Sequence, residues 1–143
     1  MPLVQDFVPV AERFEHAGMV LVAGRASWLA ELAAAAVAPD ELVAAEFGEP
    51  RSVEHALIAP LHWETETGPF TSLDADLRLE PVPRGGSHLS FSGTYEMPSN
   101  GASRPSAVSG QRLVEACVHR FITGVAATLE RGGADIHLMT SPR

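Results

Sequence analysis

The sequence predicts an α+β fold in which a curved antiparallel sheet wraps around a long C-terminal helix. Two observations carry this prediction. Residues 73–97 alternate between apolar and polar positions on both sides of a Pro/Gly turn, which is typical of two half-buried antiparallel strands. Residues 113–129 instead repeat apolar side chains every three or four positions, which gives a helix one apolar stripe. Since each element has one apolar face, we expect the two faces to pack against each other.

Length and composition favour one folded domain and exclude several classes of function. The 143 residues are 45% hydrophobic and 20% charged, so we expect a single domain over residues 1–143. A net charge of −8 opposes binding to nucleic acid and to anionic membrane surfaces. Cys117 is the only cysteine, which excludes an internal disulfide and a cysteine-based zinc site. No signal peptide or membrane-spanning run is recognisable, so we expect a cytoplasmic protein without membrane insertion.

The N-terminal third mixes strand-like and helix-like segments. Residues 3–10 are predicted to form a first strand, and the short apolar run 19–22 a second. An alanine-rich segment, 25–38, favours a helix that ends at Pro39. Residues 42–47 fit either an extension of this helix or a strand.

A period of two predicts three further strands. In residues 53–66 the inward positions are His55, Leu57, Ala59, Leu61 and Trp63. Pro60 has no amide hydrogen to donate, so we expect a sheet edge or a bulge there. The next two strands, joined by a turn at residues 81–86, share one apolar face made of Leu73, Ala75, Leu77, Leu79, Leu89, Phe91, Gly93, Tyr95 and Met97.

A polar connection, 98–105, leads into the last helix, which is predicted to begin between Pro105 and Ser109. Its apolar stripe consists of Leu113, Val114, Cys117, Val118, Phe121, Val125 and Leu129. The thiol on this stripe is expected to be buried and inert. Gly132 and Gly133 are expected to stop the helix, which leaves residues 132–143 as a tail.

Candidate catalytic and metal-binding groups fall on the predicted outer face of the sheet. His62, Glu64 and Glu66 share one side of a strand, at a spacing that suits a metal ion or an acid–base pair. Asp74 and Asp76 form a second acidic pair opposite the apolar positions of their strand. Charged side chains are usually exposed, so a solvated outer face is the simpler interpretation. We therefore predict no catalytic residue, no metal site and no cofactor.

Trp63 and Tyr95 are the two inward side chains that carry both an aromatic ring and a polar group. A buried indole N–H or phenol O–H needs a partner, which protein, water or a ligand can supply. The small inward residues Ala59, Ala75 and Gly93 either leave a cavity beside these rings or let the helix approach closely.

The segment Leu61-His62-Trp63-Glu64, the strand 73–79, the segment 89–95 and the terminal helix together resemble small START-like (SRPBCC) proteins of actinobacteria. The resemblance covers roughly residues 50–130 and contains no catalytic signature. It implies the helix-grip fold, also found in the Bet v 1 allergen and in polyketide aromatase/cyclases, with a strand, two helices, several strands and a long helix. Since residues 11–50 predict one helix, we expect an abbreviated version. The resemblance also implies a hydrophobic cavity between sheet and helix, able to hold a lipid or a polyketide.

Three functions are open at this point, with binding ranked first and an enzyme less favoured. The first is binding of a small hydrophobic, lipid- or polyketide-like ligand by Leu61, Trp63, Leu77, Phe91, Tyr95, Val118, Phe121 and Val125. The second is an aromatase/cyclase-type enzyme, for which Tyr95, His55 and Arg112 are the available groups. The third is a cavity-free interaction domain that presents a sheet edge or Trp28 to a partner. A homodimer is compatible with all three.

Overall fold

The helices and strands follow the order that the helix-grip resemblance implies. The computed structural model describes residues 3–24, 28–37, 43–65, 70–97 and 107–140. The elements are β1 (Leu3–Val10), α1 (Phe14–Gly24), α2 (Trp28–Val37), β2 (Val43–Phe47), β3 (Arg51–Val53), β4 (Ala56–Thr65), β5 (Ser72–Pro81), β6 (Ser87–Glu96) and α3 (Ala107–Thr140). The predicted first strand, the alanine-rich helix, the two strands of residues 73–97 and the start of the last helix are confirmed.

The strands form one antiparallel sheet in the order β1-β6-β5-β4-β2, and β3 pairs with the start of β4. The register places inward residues opposite one another, with Leu73 beside Tyr95 and Leu77 beside Phe91. Leu61 pairs with Ala75 in the same way on the other side of β5. The inner face is therefore continuous across three strands, as the alternation predicts.

The core lies between this face and α3. The stripe residues of α3 from Val114 to Leu129 are buried together with Leu73, Leu77, Leu79, Leu89 and Phe91. Asp74 and Asp76 are exposed on the other face of the sheet. The α+β fold with a sheet gripping a long C-terminal helix is thus confirmed.

The predicted strand at residues 19–22 is wrong, because these residues lie within α1. Ala17, Val20 and Leu21 are buried at helical spacing, whereas Met19 and Val22 are 58% and 49% exposed. A four-residue apolar run cannot distinguish a strand from one face of a short helix. Residues 43–47, left undecided by the sequence, form β2. With two helices before the sheet, the fold is not abbreviated, and the predicted helix end at Pro39 lies outside the described residues.

The predicted strand 53–66 is divided into β3 and β4 by a tight turn. Glu54 adopts a φ of 56°, and His55 is exposed in the turn, so its predicted inward position is wrong. Of the edge or bulge expected at Pro60, the bulge is confirmed. Phe47 pairs with Leu61 but Arg51 pairs with Ile58, a shift of one residue, and between these pairs Gly48 N–H donates to the Pro60 carbonyl at 2.8 Å. In an antiparallel strand, the N–H and C=O of one residue face the same neighbouring strand. The Pro60 nitrogen, which has no hydrogen to donate, therefore faces the gap between β2 and β3.

Small inward residues allow β5 and β6 to close up where the sheet curves. A Cβ added to Gly93 would lie 2.5 Å from the Ala75 Cβ and would also collide with the Asp74 carbonyl oxygen. Directly paired Cβ atoms are normally about 4.5–5.5 Å apart. Gly93 and Ala75 therefore allow a close approach between neighbouring strands, which differs from the approach of the helix that the sequence predicts for them.

The apolar stripe and the end predicted for α3 each need one correction. Leu113 is 51% exposed, because it lies at the edge of the apolar stripe near the first turns of the helix. Gly132 does not stop the helix, which continues to Thr140 and includes most of the predicted tail. A Cβ at Gly132 would lie 2.8 Å from a methyl group of Val20, so this glycine lets α3 pack closely on α1. In the described part of the chain, no helix combines the length and apolarity needed to cross a membrane. The connection predicted over residues 98–105 lies outside the described residues.

Candidate functional site

The eight residues predicted to bind ligand all lie between the sheet and α3. They come from β4, β5, β6 and α3, and each of them is 4% exposed or less. All belong to one continuous apolar cluster, namely Leu61, Trp63, Leu77, Phe91, Tyr95, Val118, Phe121 and Val125. The fold thus places these eight side chains together, as the sequence pattern predicts. That they bind a ligand stays a prediction.

Aromatic rings fill the centre of this interface around Phe121. The Phe121 ring centroid lies 5.4 Å from that of Trp63 and 6.2 Å from those of Phe91 and Phe47. Phe70 meets the Trp63 ring edge-on at 5.3 Å. Such tilted and edge-on contacts are the favoured aromatic geometries.

Sequence reasoning missed Phe47 and Phe70 as members of this aromatic group. Phe47 belongs to the segment that fitted either a helix or a strand, so no inner face was assigned to it. Phe70 lies between β4 and β5, where neither helical nor strand periodicity applies.

The Trp63 indole is completely buried, and its Nε1–H has no hydrogen-bond acceptor among the described residues. A desolvated donor without a partner costs roughly 1–3 kcal/mol. Buried indole N–H groups usually find an acceptor, so this unpaired donor requires an explanation.

The two polar side chains classed as buried in the described ranges are both hydrogen-bonded to main-chain carbonyls. The Thr65 hydroxyl donates to the Phe70 oxygen at 2.7 Å, which ties the end of β4 to the segment before β5. The Ser87 hydroxyl donates to the Glu12 oxygen at 2.8 Å. Both groups stabilise connections at the margin of the core.

Tyr95 and Cys117 are the titratable side chains that are buried among the described residues, and burial favours the neutral form of both. Burial raises the pKa of the Tyr95 phenol, and the nearby Glu115 carboxylate raises it further. Burial also raises the pKa of the Cys117 thiol to about 12, although the positive charge of Arg120 opposes this. A thiol of that pKa is almost entirely protonated at pH 7, and the predicted burial of Cys117 is confirmed.

On the outer face, His62 bridges two carboxylates, and His62 and Asp74 line an open surface depression of about 310 Å³. Its Nδ1 lies 2.6 Å from Asp74 Oδ1, and its Nε2 lies 3.0 Å from Glu64 Oε1. These hydrogen bonds, with that to Glu64 the stronger influence, raise the pKa of the imidazole. Because the two nitrogens point to different carboxylates, the three groups do not converge on one ion, and no suitable metal-binding cluster occurs among the described residues. The third member of this predicted face, Glu66, lies outside the described residues.

The groups considered for an enzyme lie on different elements and differ in exposure. Tyr95 is buried in the core, His55 is in the exposed turn before β4, and Arg112 is exposed on α3. Arg112 lines an open polar groove of about 410 Å³, in which His119 Nδ1 lies 2.8 Å from Asp6 Oδ2.

An apolar groove of about 480 Å³ lies on the surface between α1 and the β3–β4 hairpin. It is lined by Phe14, Glu15, Gly18, Met19, Val22, Ala23, Ser52 and Leu57. Because residues 19–22 are predicted from the sequence to form a strand, sequence reasoning missed this groove. It is open to solvent and separate from the interface between sheet and α3.

Comparison with solved structures defines the fold class. The Zhui aromatase/cyclase from Streptomyces sp. R1128 matches over 99% of both chains, with 15% identity and a TM-score of 0.53. A hypothetical protein from Helicobacter pylori matches 88% of this chain and 86% of its own, with 13% identity and a TM-score of 0.52. A START superfamily protein from Mycobacterium smegmatis matches 94% of this chain and 98% of its own, with 13% identity and a TM-score of 0.49.

No protein-family model and no curated protein matches the sequence. The element order, the sheet order and the match to the aromatase/cyclase show that the fold is the α+β helix-grip fold. At 15% identity or less this likeness establishes the fold alone, and the activity has to be argued from this chain's own residues.

Proposed function

We propose that this protein binds a small hydrophobic, lipid- or polyketide-like ligand between the sheet and α3. The observation that supports this most directly is the core itself, which is neutral, rich in aromatic rings and contains a buried indole donor without an acceptor. The helix-grip fold adds support, since it packs one long helix against one face of the sheet and thereby encloses an apolar interface.

The driving force for such binding is the removal of apolar ligand surface from water. A bicyclic hydrocarbon that buries roughly 250 Å² would gain about 6 kcal/mol at about 25 cal/mol per Å², before the cost of association. Because the aromatic residues of this interface are closely packed, a ligand has to displace some of their mutual contacts. We therefore expect moderate affinity for small probes.

The first test is native mass spectrometry of the freshly purified protein. We expect an adduct of one small apolar molecule that is lost on denaturation. The same spectrum reports the number of subunits and so tests the predicted homodimer.

A second test measures thermal unfolding with increasing tetralin, a neutral bicyclic hydrocarbon. At 100 times the Kd, we expect the Tm to rise by roughly 5–10 °C. Met19→Ser is the control, because it removes an exposed apolar side chain from the surface groove and should leave the shift unchanged.

Two outcomes would contradict the proposal. If the shift disappears in the Met19→Ser variant, the probe binds in the surface groove and not between sheet and α3. If no adduct and no saturable shift are found, the cavity-free interaction domain becomes the better hypothesis. An aromatase/cyclase-type activity is not proposed, since Tyr95 is buried whereas His55 and Arg112 are exposed on different elements.

A further inference from the structure

The polarity of the ligand can be inferred from the interior, on the basis of the proposed function. We infer that the ligand is uncharged and places a hydrogen-bond acceptor, such as a carbonyl or ether oxygen, on Nε1–H of Trp63. This makes Trp63 the residue that selects ligands by polarity, in addition to its contribution to apolar contact.

The first argument is the isolation of this donor. Among the described residues, Trp63 Nε1 is the single buried side-chain nitrogen or oxygen without a hydrogen-bond partner. Its ring contacts are the Phe70 and Phe121 rings, and its strand partners are Ala45 and Leu73, none of which has a side-chain acceptor. An indole nitrogen is a donor only, so the missing partner has to be an acceptor.

The second argument concerns charge. The buried polar hydroxyls of Thr65 and Ser87 already donate to main-chain carbonyls, and no Lys, Arg, Asp or Glu belongs to the buried set of the described residues. A carboxylate or ammonium group brought into this interior would lose its hydration, and no buried charged side chain of the described residues would compensate it. A neutral acceptor meets the requirement of Trp63 without that penalty.

The test compares two probes of the same shape, 1-tetralone and tetralin, which differ by a carbonyl oxygen in place of two hydrogens. Their Kd values are measured for the wild-type protein and for Trp63→Phe, which keeps an aromatic ring but removes the donor. We expect the preference for 1-tetralone over tetralin to fall about three- to tenfold in the variant. Using the ratio within each protein cancels the difference in hydrophobicity between the probes.

A second measurement does not depend on the stability of the Trp63→Phe variant. In the ¹⁵N-correlated spectrum of the protein there are two indole signals, and Trp28→Phe assigns them. We expect 1-tetralone to move the Trp63 indole proton downfield, and tetralin not to do so. A charged probe, 1,2,3,4-tetrahydro-1-naphthoate at pH 7, should bind more weakly than both neutral ones.

The outcomes separate this inference from the proposed function. Suppose that both neutral probes bind, but that 1-tetralone does not shift the Trp63 indole signal and the preference for 1-tetralone over tetralin is the same in Trp63→Phe. The role of Trp63 is then overturned, while the proposed ligand binding is supported. If the carboxylate binds as tightly as 1-tetralone, the requirement for a neutral ligand is overturned. If neither neutral probe binds, the proposed function fails and this inference fails with it.

Discussion

At the scale of single residues, His62 combines an exposed position with two carboxylate partners. The hydrogen bonds to Glu64 and then Asp74 raise its pKa above the ordinary value of 6.5. A protonated imidazole donates from both nitrogens, which matches the contacts at 3.0 and 2.6 Å. We therefore describe His62, Glu64 and Asp74 as a local ion cluster on this face of the sheet.

We expect the His62 imidazole to titrate above pH 6.5 in the folded protein, as measured from its ring proton signals by NMR. Since the folded-state pKa is raised, the stabilisation from His62 is fully present below pH 6.5 and is lost as the pH rises through the folded-state pKa. Glu64→Gln and Asp74→Asn should each lower this pKa, whereas Asp76→Asn, a nearby exposed carboxylate without a bond to His62, should not. A wild-type pKa at or below 6.5 would contradict the structure at this position.

The residue scale also shows what the sequence could predict about the site. Strand alternation and helical spacing identified all eight inward residues, because burial follows directly from these periods. The need of Trp63 for a partner was also predicted, but whether the fold supplies one depends on packing in three dimensions. Phe70 could not be predicted, since it reaches the Trp63 ring from a connecting segment.

At the scale of elements, the predicted helices and strands are correct where the apolar period extends over many residues. They are wrong where a short segment has to distinguish a helix from a strand or mark the end of a helix. β5, β6 and the middle of α3 each repeat their pattern over ten residues or more. The apolar run in α1 covers one helical turn, which a strand explains equally well. A glycine such as Gly132 usually marks a helix end, but here it allows close contact with Val20. The residues next to Gly132 in the sequence do not reveal a contact with another helix.

Sheet curvature gives a test at this scale. Gly93→Ala should destabilise the protein by about 1–3 kcal/mol, because the new methyl group would overlap Ala75 and the main chain of β5. The measurement is the free energy of unfolding in urea. Ser92→Ala, an exposed neighbour on the same strand, should change it by less than about 0.5 kcal/mol. Equal urea midpoints for Gly93→Ala and the wild type would mean that β5 and β6 do not approach as closely as described.

At the scale of the whole molecule, the two ends of the described chain are held in the same core. β1 pairs with β6 and contacts α3, and it contributes the buried residues Val4 and Val10. Arg120 of α3 donates from Nε and Nη2 to the Ala36 carbonyl at the end of α2, at 2.9 and 2.7 Å. Neither the first strand nor the last helix can therefore separate without exposing the interface proposed to bind ligand.

This connectivity predicts that α2 and β4 unfold together. With 5-fluorotryptophan incorporated, the ¹⁹F signals of Trp28 and Trp63 report the two elements separately, and both should show one common urea midpoint, because a shared core unfolds cooperatively. Val10→Ala should lower both midpoints by the same amount, since Val10 is 2% exposed, and the loss should correspond to about 1–3 kcal/mol. Leu3→Ala on the same strand is the control, because Leu3 is 65% exposed and should leave both midpoints unchanged. Different urea midpoints for Trp28 and Trp63 would show that α2 unfolds independently of β4. Ligand binding between the sheet and α3 would then stabilise β4 without stabilising α2.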